Sequence, residues 1–287
     1  MVNNILALQS EEWNMESVFD FSQKYSGGGS VSEDRNTTQS VLRSALKAFP
    51  QGFNAQSITS ARNMFRNCNN ITTIPALEFP NCTSFSSMFE SCRALTSVSQ
   101  LDTSKGTNFS DMFESCVALT SVPQLDTSKG TNFSDMFKNC SSLTSVPLLD
   151  TSNGTNFSYM FSGCKALTSV PQLDTSNGTN FSYMFFLCTP LTSLGIDSLT
   201  DADGNTVKPW QFKVSVDFGY CPLDKASIEC VMNNLQTVSS TQTLTISKTT
   251  ALNICGQTDK SYDYTSDAHY QEMMKICTDK GWTVAVN

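Results

Sequence analysis

The sequence predicts an α/β repeat solenoid in which six similar units stack along one axis. Two observations predict this fold. The first is a Met-Phe-x-x-Cys core that occurs six times, beginning at Met64, Met88, Met112, Met136, Met160 and Met184. The second is a constant spacing of 24 residues between these copies. Such a period is typical of repeat proteins, whose units cannot bury an apolar face alone and share one core by stacking.

Each unit is expected to contain one strand and one short helix. The strand is the Leu-Thr-Ser-Val-Pro segment, where Leu119, Val122 and Leu125 of the third unit recur at every third residue. This spacing turns apolar side chains inward around a bend and leaves Thr120 and Ser121 near the outer face. Adjacent strands lie about 4.8 Å apart, so six units would form a rod section of roughly 25–30 Å.

The helix of the third unit is expected between Ser110 and Cys116. Ser110 is a suitable N-cap residue, and Asp111 places an acid in the first turn. Helical spacing would then direct four apolar side chains to the core: Phe109, Met112, Phe113 and Cys116.

The Asp-Thr-Ser-x-Gly segment at the start of the unit predicts a turn. In residues 102–106, Asp102 and Ser104 are expected to bond their own backbone, and Gly106 is expected to supply a positive φ. The same aspartate recurs in later units, which favours a structural role over a ladder of calcium ligands. The Gly-Gly-x-Gly-x-Asp signature of calcium-binding β-repeats is also absent from the sequence.

The pattern LTSVPxLDTSxGTNFSxMFxxCxx resembles the BspA-type leucine-rich repeats. The resemblance covers about residues 58–199, and the period of 24 lies inside the leucine-rich range of about 20–29 residues. It implies a leucine-rich-repeat-like, non-enzymatic scaffold. Repeats of this type occur in surface adhesins of gut and oral bacteria and in fibre-like proteins of their phages.

Two end segments flank the repeats. Residues 1–57 lack the period and are interpreted as an N-terminal cap or attachment segment, with a short helix at 41–49 and a flexible joint at 27–30. Residues 200–287 are interpreted as a small α/β capping module. Its expected elements are a turn at 201–205, a strand at 211–216, a helix at 224–235, a strand from Thr243, a helix at 267–280 and a last strand at 282–286.

The order of elements in this module resembles C-terminal modules of phage tail and fibre proteins from gut bacteria. The alternative is a larger, degenerate pair of leucine-rich units that closes the solenoid.

Composition argues against several classes of protein. The net charge is −8 and the sequence has no cluster of Lys and Arg, so nucleic acid is not an expected partner. No apolar run approaches the roughly 18–20 residues of a membrane span. The first residues lack the basic and apolar regions of a secretory signal. Six of the eleven cysteines recur at the repeat spacing and are expected to be buried free thiols, as in a chain that folds in a reducing cytoplasm.

Catalytic chemistry is not expected. The chain has one histidine, His269, which lies in a predicted polar helix, and the common nucleotide-binding, zinc-protease and serine-hydrolase motifs are absent. Acidic residues are numerous, so a glycosidase carboxylate pair is not excluded by residue type alone. We therefore predict no enzyme activity, no metal and no cofactor.

Residues that bind a partner are expected where the units differ from one another. The x of Phe-Ser-x-Met is acidic in the third and fourth units and becomes Tyr159 and Tyr183 in the fifth and sixth. Phe186 replaces the Glu, Lys or Ser of earlier units. These three residues predict an aromatic edge suited to protein contacts or to the apolar faces of sugars. The alternative is that they pack against the C-terminal module.

A second candidate surface is the hydroxyl ladder of the strand face, which includes Thr120, Ser121, Thr144 and Ser145. These hydroxyls would bind glycans weakly, or they would simply form a solvated face.

Three functional hypotheses follow from these features. The first is a virion-associated phage protein, a fibre, tail or decoration subunit that displays the solenoid for attachment to a bacterial host surface. The alternative is a bacterial cell-surface BspA-like adhesin that binds host matrix or glycans. A glycan-active enzyme is the third, and the single histidine disfavours it. Expected partners are a host-surface glycan or protein, other virion proteins, or a second copy of the chain; the expected location is the virion or the bacterial surface.

Overall fold

The computed structural model describes residues 55–197, 199–200, 206–207 and 209–287. The N-terminal segment expected at 1–57 therefore lies almost wholly outside the described residues, together with its helix at 41–49 and its joint at 27–30. The turn expected at 201–205 lies outside them as well.

Residues 58–196 adopt a repeat fold whose units are joined in register by backbone hydrogen bonds. The Phe113 N–H donates to the Met136 carbonyl at 3.0 Å, and the Thr144 N–H donates to the Thr120 carbonyl at 3.1 Å. Parallel bridges connect equivalent asparagines along the chain: Asn108, Asn132, Asn156 and Asn180. The repeat fold predicted from the 24-residue period is thus confirmed.

The strand expected in every unit is only partly confirmed. The Leu-Thr-Ser-Val-Pro segments form short parallel strands in the first two and last two units, but not in the third and fourth. The pairs are β1 (Thr73–Ile74) with β2 (Ser97–Val98), and β3 (Ser169–Val170) with β4 (Ser193–Leu194). Between them, the amides of Thr120 and Thr144 still bond to the preceding unit. Leu119 and Leu125 are fully buried as expected, whereas Val122 is only partly buried.

A run of tight turns takes the place of the helix expected between Ser110 and Cys116. Asp111 and Ser115 have φ values of 57° and 59°, in the left-handed region that a right-handed helix excludes. The inward direction of the apolar side chains is nevertheless confirmed, because all four are fully buried: Phe109, Met112, Phe113 and Cys116. We call these residues and their equivalents the turn segments: 61–68, 85–92, 109–116, 133–140, 157–164 and 181–188.

Two columns of phenylalanine rings run through the core. In one, neighbouring ring centroids are 5.3–5.7 Å apart: Phe85, Phe109, Phe133, Phe157 and Phe181. In the other they are 5.6–5.8 Å apart: Phe65, Phe89, Phe113, Phe137, Phe161 and Phe185. A stacked aromatic pair contributes about 0.5–1.5 kcal/mol beyond the burial of its area. The columns therefore favour a spacing of one whole unit between neighbours.

Gly106 is needed for a reason other than the expected positive φ. Its φ lies outside the left-handed region, so that prediction is wrong. A Cβ at this position would lie 2.5 Å from Cζ of Phe109, so the glycine makes room for a ring of the core. The turn itself is confirmed, since Asp102 Oδ1 accepts from the Ser104 N–H at 3.1 Å and from the Ser104 hydroxyl at 2.7 Å.

The cysteines of the turn segments form a column of buried free thiols, as predicted. The Cys116 thiol donates to the Phe89 carbonyl at 3.0 Å, and the Cys140 thiol donates to the Phe113 carbonyl at 3.0 Å. Burial raises the pKa of Cys116 to about 12.

The C-terminal residues form a small α/β module. A short antiparallel pair, β5 (Leu199–Thr200) and β6 (Thr206–Val207), precedes it. The module has a parallel sheet in the order β7-β8-β9, with strands β7 (Val216–Phe218), β8 (Gln242–Ile246) and β9 (Trp282–Val286). Its helices are α1 (Lys225–Asn234), α2 (Lys248–Ile254) and α3 (Ala268–Asp279), with a 3-10 helix at Tyr264–Ser266.

Most elements expected in this module are confirmed. Helix α1 begins after Asp224, whose side chain accepts from the Ser227 N–H, and α3 is followed by Gly281 with φ 86°. The strand expected at 211–216 is wrong in position, because β7 begins only at Val216. Helix α2 was not expected.

The module covers the end of the repeat core. The Phe212 ring meets Phe181 edge-on at 4.8 Å, and the Phe218 ring stacks on Phe185 at 4.7 Å. On the strand side, the Asp224 N–H donates to the Thr192 carbonyl at 2.7 Å. The division of the chain at 58–199 and 200–287 stays a prediction.

Candidate binding edge

The residues that precede the methionine of each Met-Phe-x-x-Cys core line one edge of the repeats. We call this row the variable edge: Asn63, Ser87, Asp111, Asp135, Tyr159 and Tyr183. Each has a φ between 55° and 58°. Asn and Asp tolerate the left-handed region, whereas most other side chains lose roughly 1–2 kcal/mol there. The fold alone therefore explains the earlier residues of this row better than Tyr159 and Tyr183.

In the first four units, the variable edge and the residues beside it carry charged side chains that form ion pairs. We call this part the ionic half. The Arg66 guanidinium lies 2.7 Å from Glu90 Oε1. Lys138 Nζ lies 2.8 Å from Asp135 Oδ1 and 3.1 Å from Glu114 Oε1. Desolvation lowers the pKa of Lys138, but the hydrogen bonds to both carboxylates outweigh it and raise that pKa above its ordinary value.

Burial raises the pKa of two carboxylates of this half, Glu90 and Asp111. At Asp111 burial is the largest cause, and the neighbouring carboxylates of Asp135, Glu114 and Glu90 add to it, so that the pKa of Asp111 is about 7. Its charge state therefore changes near neutral pH.

The fifth and sixth units carry the aromatic half. The Tyr159 and Tyr183 rings stack with centroids 4.9 Å apart, and Phe186 meets Tyr183 edge-on at 5.6 Å. Phe186 also meets Tyr220 of the C-terminal module at 4.9 Å. Lys138 Nζ lies 5.1 Å from the centroid of the Tyr159 ring and joins the two halves. The three aromatic residues singled out in the sequence are thus brought together.

The exposure of these residues shows which of them are available to a partner and which pack against the C-terminal module. Tyr183 is 51% exposed, Tyr220 41% and Leu187 37%, whereas Tyr159 and Phe186 are half-buried. Phe186 therefore packs against the C-terminal module, while Tyr183 presents its ring to solvent.

Sequence reasoning missed Leu187 and Tyr220. Leu187 occupies the position that Asn139 and Gly163 hold in the two preceding units. The change from a small or polar residue to a large apolar one is a sequence signal for this position. Its φ is 58°, so it shares the unfavourable backbone of Tyr183. Tyr220 lies outside the period, and no repeat pattern points to it.

The hydroxyl ladder of the strand face is exposed, but part of it is already bonded. The Thr120 hydroxyl donates to the Thr96 carbonyl at 3.4 Å, and the Thr144 hydroxyl donates to the Thr120 carbonyl at 3.2 Å. Ser121 and Ser145 are exposed between them. A role of these four residues in binding glycans stays a prediction.

His269 lies on α3 as expected, and its Nε2 atom is 2.5 Å from Glu229 Oε1 of α1. The pair joins two helices. Among the described residues, no group of three or more His, Cys, Asp or Glu side chains is placed to hold a metal ion. Nor does that part of the chain contain a helix with the length and apolar character needed to cross a membrane.

The in-register units and their shared aromatic core define a repeat protein. More specifically, the chain belongs to the family described as "Mycoplasma protein of unknown function, DUF285", whose model matches residues 3–95, 37–146 and 119–198. These overlapping matches together span more than half of the chain. The match is consistent with the BspA-like character of the repeats.

No curated protein matches the chain. Among solved structures, it is similar to a leucine-rich cell surface protein from Faecalibacterium prausnitzii A2-165, with a TM-score of 0.31 and 15% identity. The similarity covers 66% of this chain and 58% of that protein, so the chain spans less than two thirds of its length. A similarity this low says nothing about function. The virion hypothesis has no support from either match.

Proposed function

We propose that the chain is a non-enzymatic solenoid that acts as a binding scaffold on a bacterial cell surface and contacts its ligand through the aromatic half of the variable edge. The observation that carries the proposal is Tyr183, which holds a half-exposed ring on a left-handed backbone and stacks on Tyr159.

The backbone cost at Tyr183 is the first step of the argument. The equivalent position of the first unit is Asn63, which adopts the same left-handed φ with less strain. A chain built only for stability would gain by keeping Asn there. Strained residues cluster at functional sites, where the side chain serves a purpose that folding does not explain.

The chemistry of the exposed residues is the second step. Tyr and Trp are enriched among the residues that contribute most to binding, because a rigid ring offers a large contact area and a polar atom. Tyr183 and Tyr220 both contact the half-buried Phe186, and the exposed Leu187 follows Phe186 in the chain. These side chains suit contact better than catalysis, since none is a strong acid, base or nucleophile at neutral pH.

The location on a cell surface is the third step. BspA-type repeats occur in bacterial surface adhesins, and the chain's own pattern resembles them over residues 58–199. Low charge on the repeats, with exposed Thr and Ser on the strand face, suits a surface-exposed scaffold.

The test is a comparison of the intact chain with the double variant Tyr159→Asn/Tyr183→Asn. Binding to matrix proteins, glycan arrays and intact cells is measured for both, together with the melting temperature. We expect a ligand bound by the intact chain to bind at least about tenfold more weakly to the double variant. The melting temperature should hold or rise, because Asn fits the left-handed backbone.

The matched control is Ser121→Ala/Ser145→Ala, which alters the strand face alone. Equal binding by the double tyrosine variant, or loss of binding in the serine control, would contradict the aromatic edge as the binding surface.

A further inference from the structure

The turn segments are connected by a regular ladder of backbone hydrogen bonds. In each of the first five units, four N–H groups donate to four carbonyls of the next unit at 2.7–3.1 Å. In the fifth unit the donor and acceptor pairs are Phe157 with Asn180, Tyr159 with Ser182, Phe161 with Met184, and Gly163 with Phe186.

The ladder stops at the sixth unit. Its equivalent donors are the N–H groups of Phe181, Tyr183, Phe185 and Leu187. Within the described part of the chain, none of these four amides donates a hydrogen bond. The bonds inside the turn segment are kept, for example from the Phe186 N–H to the Tyr183 carbonyl at 3.1 Å. The segment therefore has its usual conformation but lacks its usual acceptors.

The C-terminal module covers only the inner part of this row. Phe212 and Phe218 lie against the rings of Phe181 and Phe185, which are buried. Tyr183 and Leu187, by contrast, are exposed. An exposed row of unpaired backbone groups is a template for pairing with another chain.

We propose that this rim, formed by Tyr183, Leu187 and the adjacent ring of Tyr220, docks a short polypeptide segment of a partner protein that adopts the conformation of a turn segment. Carbonyl oxygens of the segment accept from the N–H groups of Tyr183 and Leu187, and an aromatic side chain of the segment stacks on Tyr183. The inference rests on the proposed binding role of the aromatic edge and names the chemical class of its partner.

The five internal interfaces argue for a polypeptide as the occupant. At each of them the same donors are satisfied by peptide carbonyls. The acceptors for Tyr159 and Gly163 are the carbonyls of Ser182 and Phe186, four residues apart in the chain. A segment of at least five residues supplies this spacing. The side chains favour the same occupant. Tyr183 stacks on Tyr159 across the last internal interface, and an aromatic ring of the partner segment would stack on Tyr183 in the same way.

A second copy of the chain fits the rim less well. Two copies that meet through this rim would bring donors against donors. If a second copy approached the rim with a different unit, that unit would have to stack on the core of the sixth unit. Phe212 and Phe218 already cover this core. A narrow segment reaches Tyr183 and Leu187 without displacing the module.

The test uses amide hydrogen exchange and NMR chemical shifts of the full chain. The probe is a blocked peptide with the sequence of residues 155–163, TNFSYMFSG, whose carbonyls satisfy the same donors inside the protein. In the free chain, the Tyr183 and Leu187 amides should exchange at least about tenfold faster than those of Tyr159 and Gly163. The peptide should slow exchange at Tyr183 and Leu187 and shift their resonances, and a scrambled peptide should not.

Tyr183→Asn removes the ring but keeps the amide, so it should weaken peptide binding several-fold, whereas Arg93→Ala, at an exposed position of the second unit, should leave it unchanged. Slow exchange at Tyr183 and Leu187 in the free chain would overturn the proposal, as would a peptide that protects other residues or none. Protection that appears with rising protein concentration and without peptide would show that a second copy is the occupant, and it would also overturn the proposal.

The two proposals fail in different ways. If the chain docks the peptide but the double tyrosine variant binds the ligand normally, the proposed function is contradicted and the docking proposal for the rim stands. A chain that needs both tyrosines for its ligand but does not dock the peptide contradicts the rim.

Discussion

Asp111 shows how the surroundings of one residue make stability depend on pH. Its pKa is about 7, compared with an ordinary value of 3.8, because burial and three nearby carboxylates disfavour its charged form. Folding therefore favours the protonated form. The contribution of this side chain is most favourable below about pH 3.8, and it is lost as the pH rises through 7.

Asp111→Asn removes this titration and keeps a side chain that suits a φ of 57°. We expect the variant to match the intact chain near pH 4 and to be more stable by about 1 kcal/mol at pH 8, once solvent screening of a half-buried group is allowed for. Urea unfolding at both pH values measures the difference. An equal gain at both pH values would show that the carboxylate charge is not its cause.

Gly130 lies at a position where the sequence pattern correctly predicts glycine but attributes it to a positive φ. The glycine of each Asp-Thr-Ser-x-Gly turn was expected from the pattern, but the pattern does not reveal that an aromatic ring occupies the space beside it. A Cβ on Gly130 would lie 2.4 Å from Cζ of Phe133. Glycine is therefore required here because of the neighbouring ring in the core, and not because of its backbone angle.

Gly130→Ala should therefore destabilise the chain by about 1–3 kcal/mol through overpacking. The double variant Gly130→Ala/Phe133→Leu should lose less than the sum of its single changes, because the smaller side chain removes the clash. Thermal unfolding of the three variants measures this coupling. Additive losses would place the cost in the backbone instead.

At the scale of the element, the turn segments show where sequence reasoning succeeds and where it fails. Spacing of i, i+3, i+4 and i+7 identified the buried side chains correctly, because a helix and this run of turns both direct those positions to one side. The helical conformation is wrong because two positions of each segment adopt a positive φ, which interrupts a right-handed helix. Asn, Asp, Ser and Gly recur at the two left-handed positions, and that repetition indicates turns.

The thiol column gives a prediction for the same segments. Cys68, Cys92 and the others that face the core are buried, and burial raises the pKa of thiols such as Cys140 well above the ordinary value. A thiolate is the reactive form. In the native chain, an aromatic disulfide reagent should react only with the partly exposed Cys230 and Cys255, and the other nine cysteines should react after unfolding. Rapid native reaction of more than two thiols would contradict the packed column.

At the scale of the whole molecule, the constant register between units predicts how the chain tolerates deletion. Removal of residues 125–148 deletes one complete unit and joins Gln124 to Leu149, which repeats the junction of Gln124 with Leu125. The shortened chain should fold, with a melting temperature lower by roughly 2–4 °C for each kcal/mol of lost stacking. Circular dichroism measures the transition.

Removal of residues 125–136 is the control, because half a unit places the phenylalanine columns out of register. It should abolish cooperative unfolding. If both deletions behave alike, the register is not what holds the units together.

The repeat fold and most of the C-terminal module could be predicted because their residues follow a local period or a local cap. The aromatic edge could be predicted only in part. Tyr159, Tyr183 and Phe186 interrupt a repeating pattern, which draws attention to them. Tyr220 reaches the same edge through a tertiary contact with Phe186, and no local signal records such a contact.

The ladder of the turn segments also has an electrostatic direction. All four of its N–H groups point toward the next unit, so their peptide dipoles align along the turn face, whereas the N–H groups of Thr120 and Thr144 on the strand face point toward the preceding unit. The sum places partial positive charge beside Tyr183 and Leu187, although no basic side chain is needed to produce it. Each additional unit lengthens the aligned rows, and mutual polarisation of chained hydrogen bonds strengthens the terminal donors. The positive field at the rim is therefore a property of the turn face, where the aligned donors end without an acceptor.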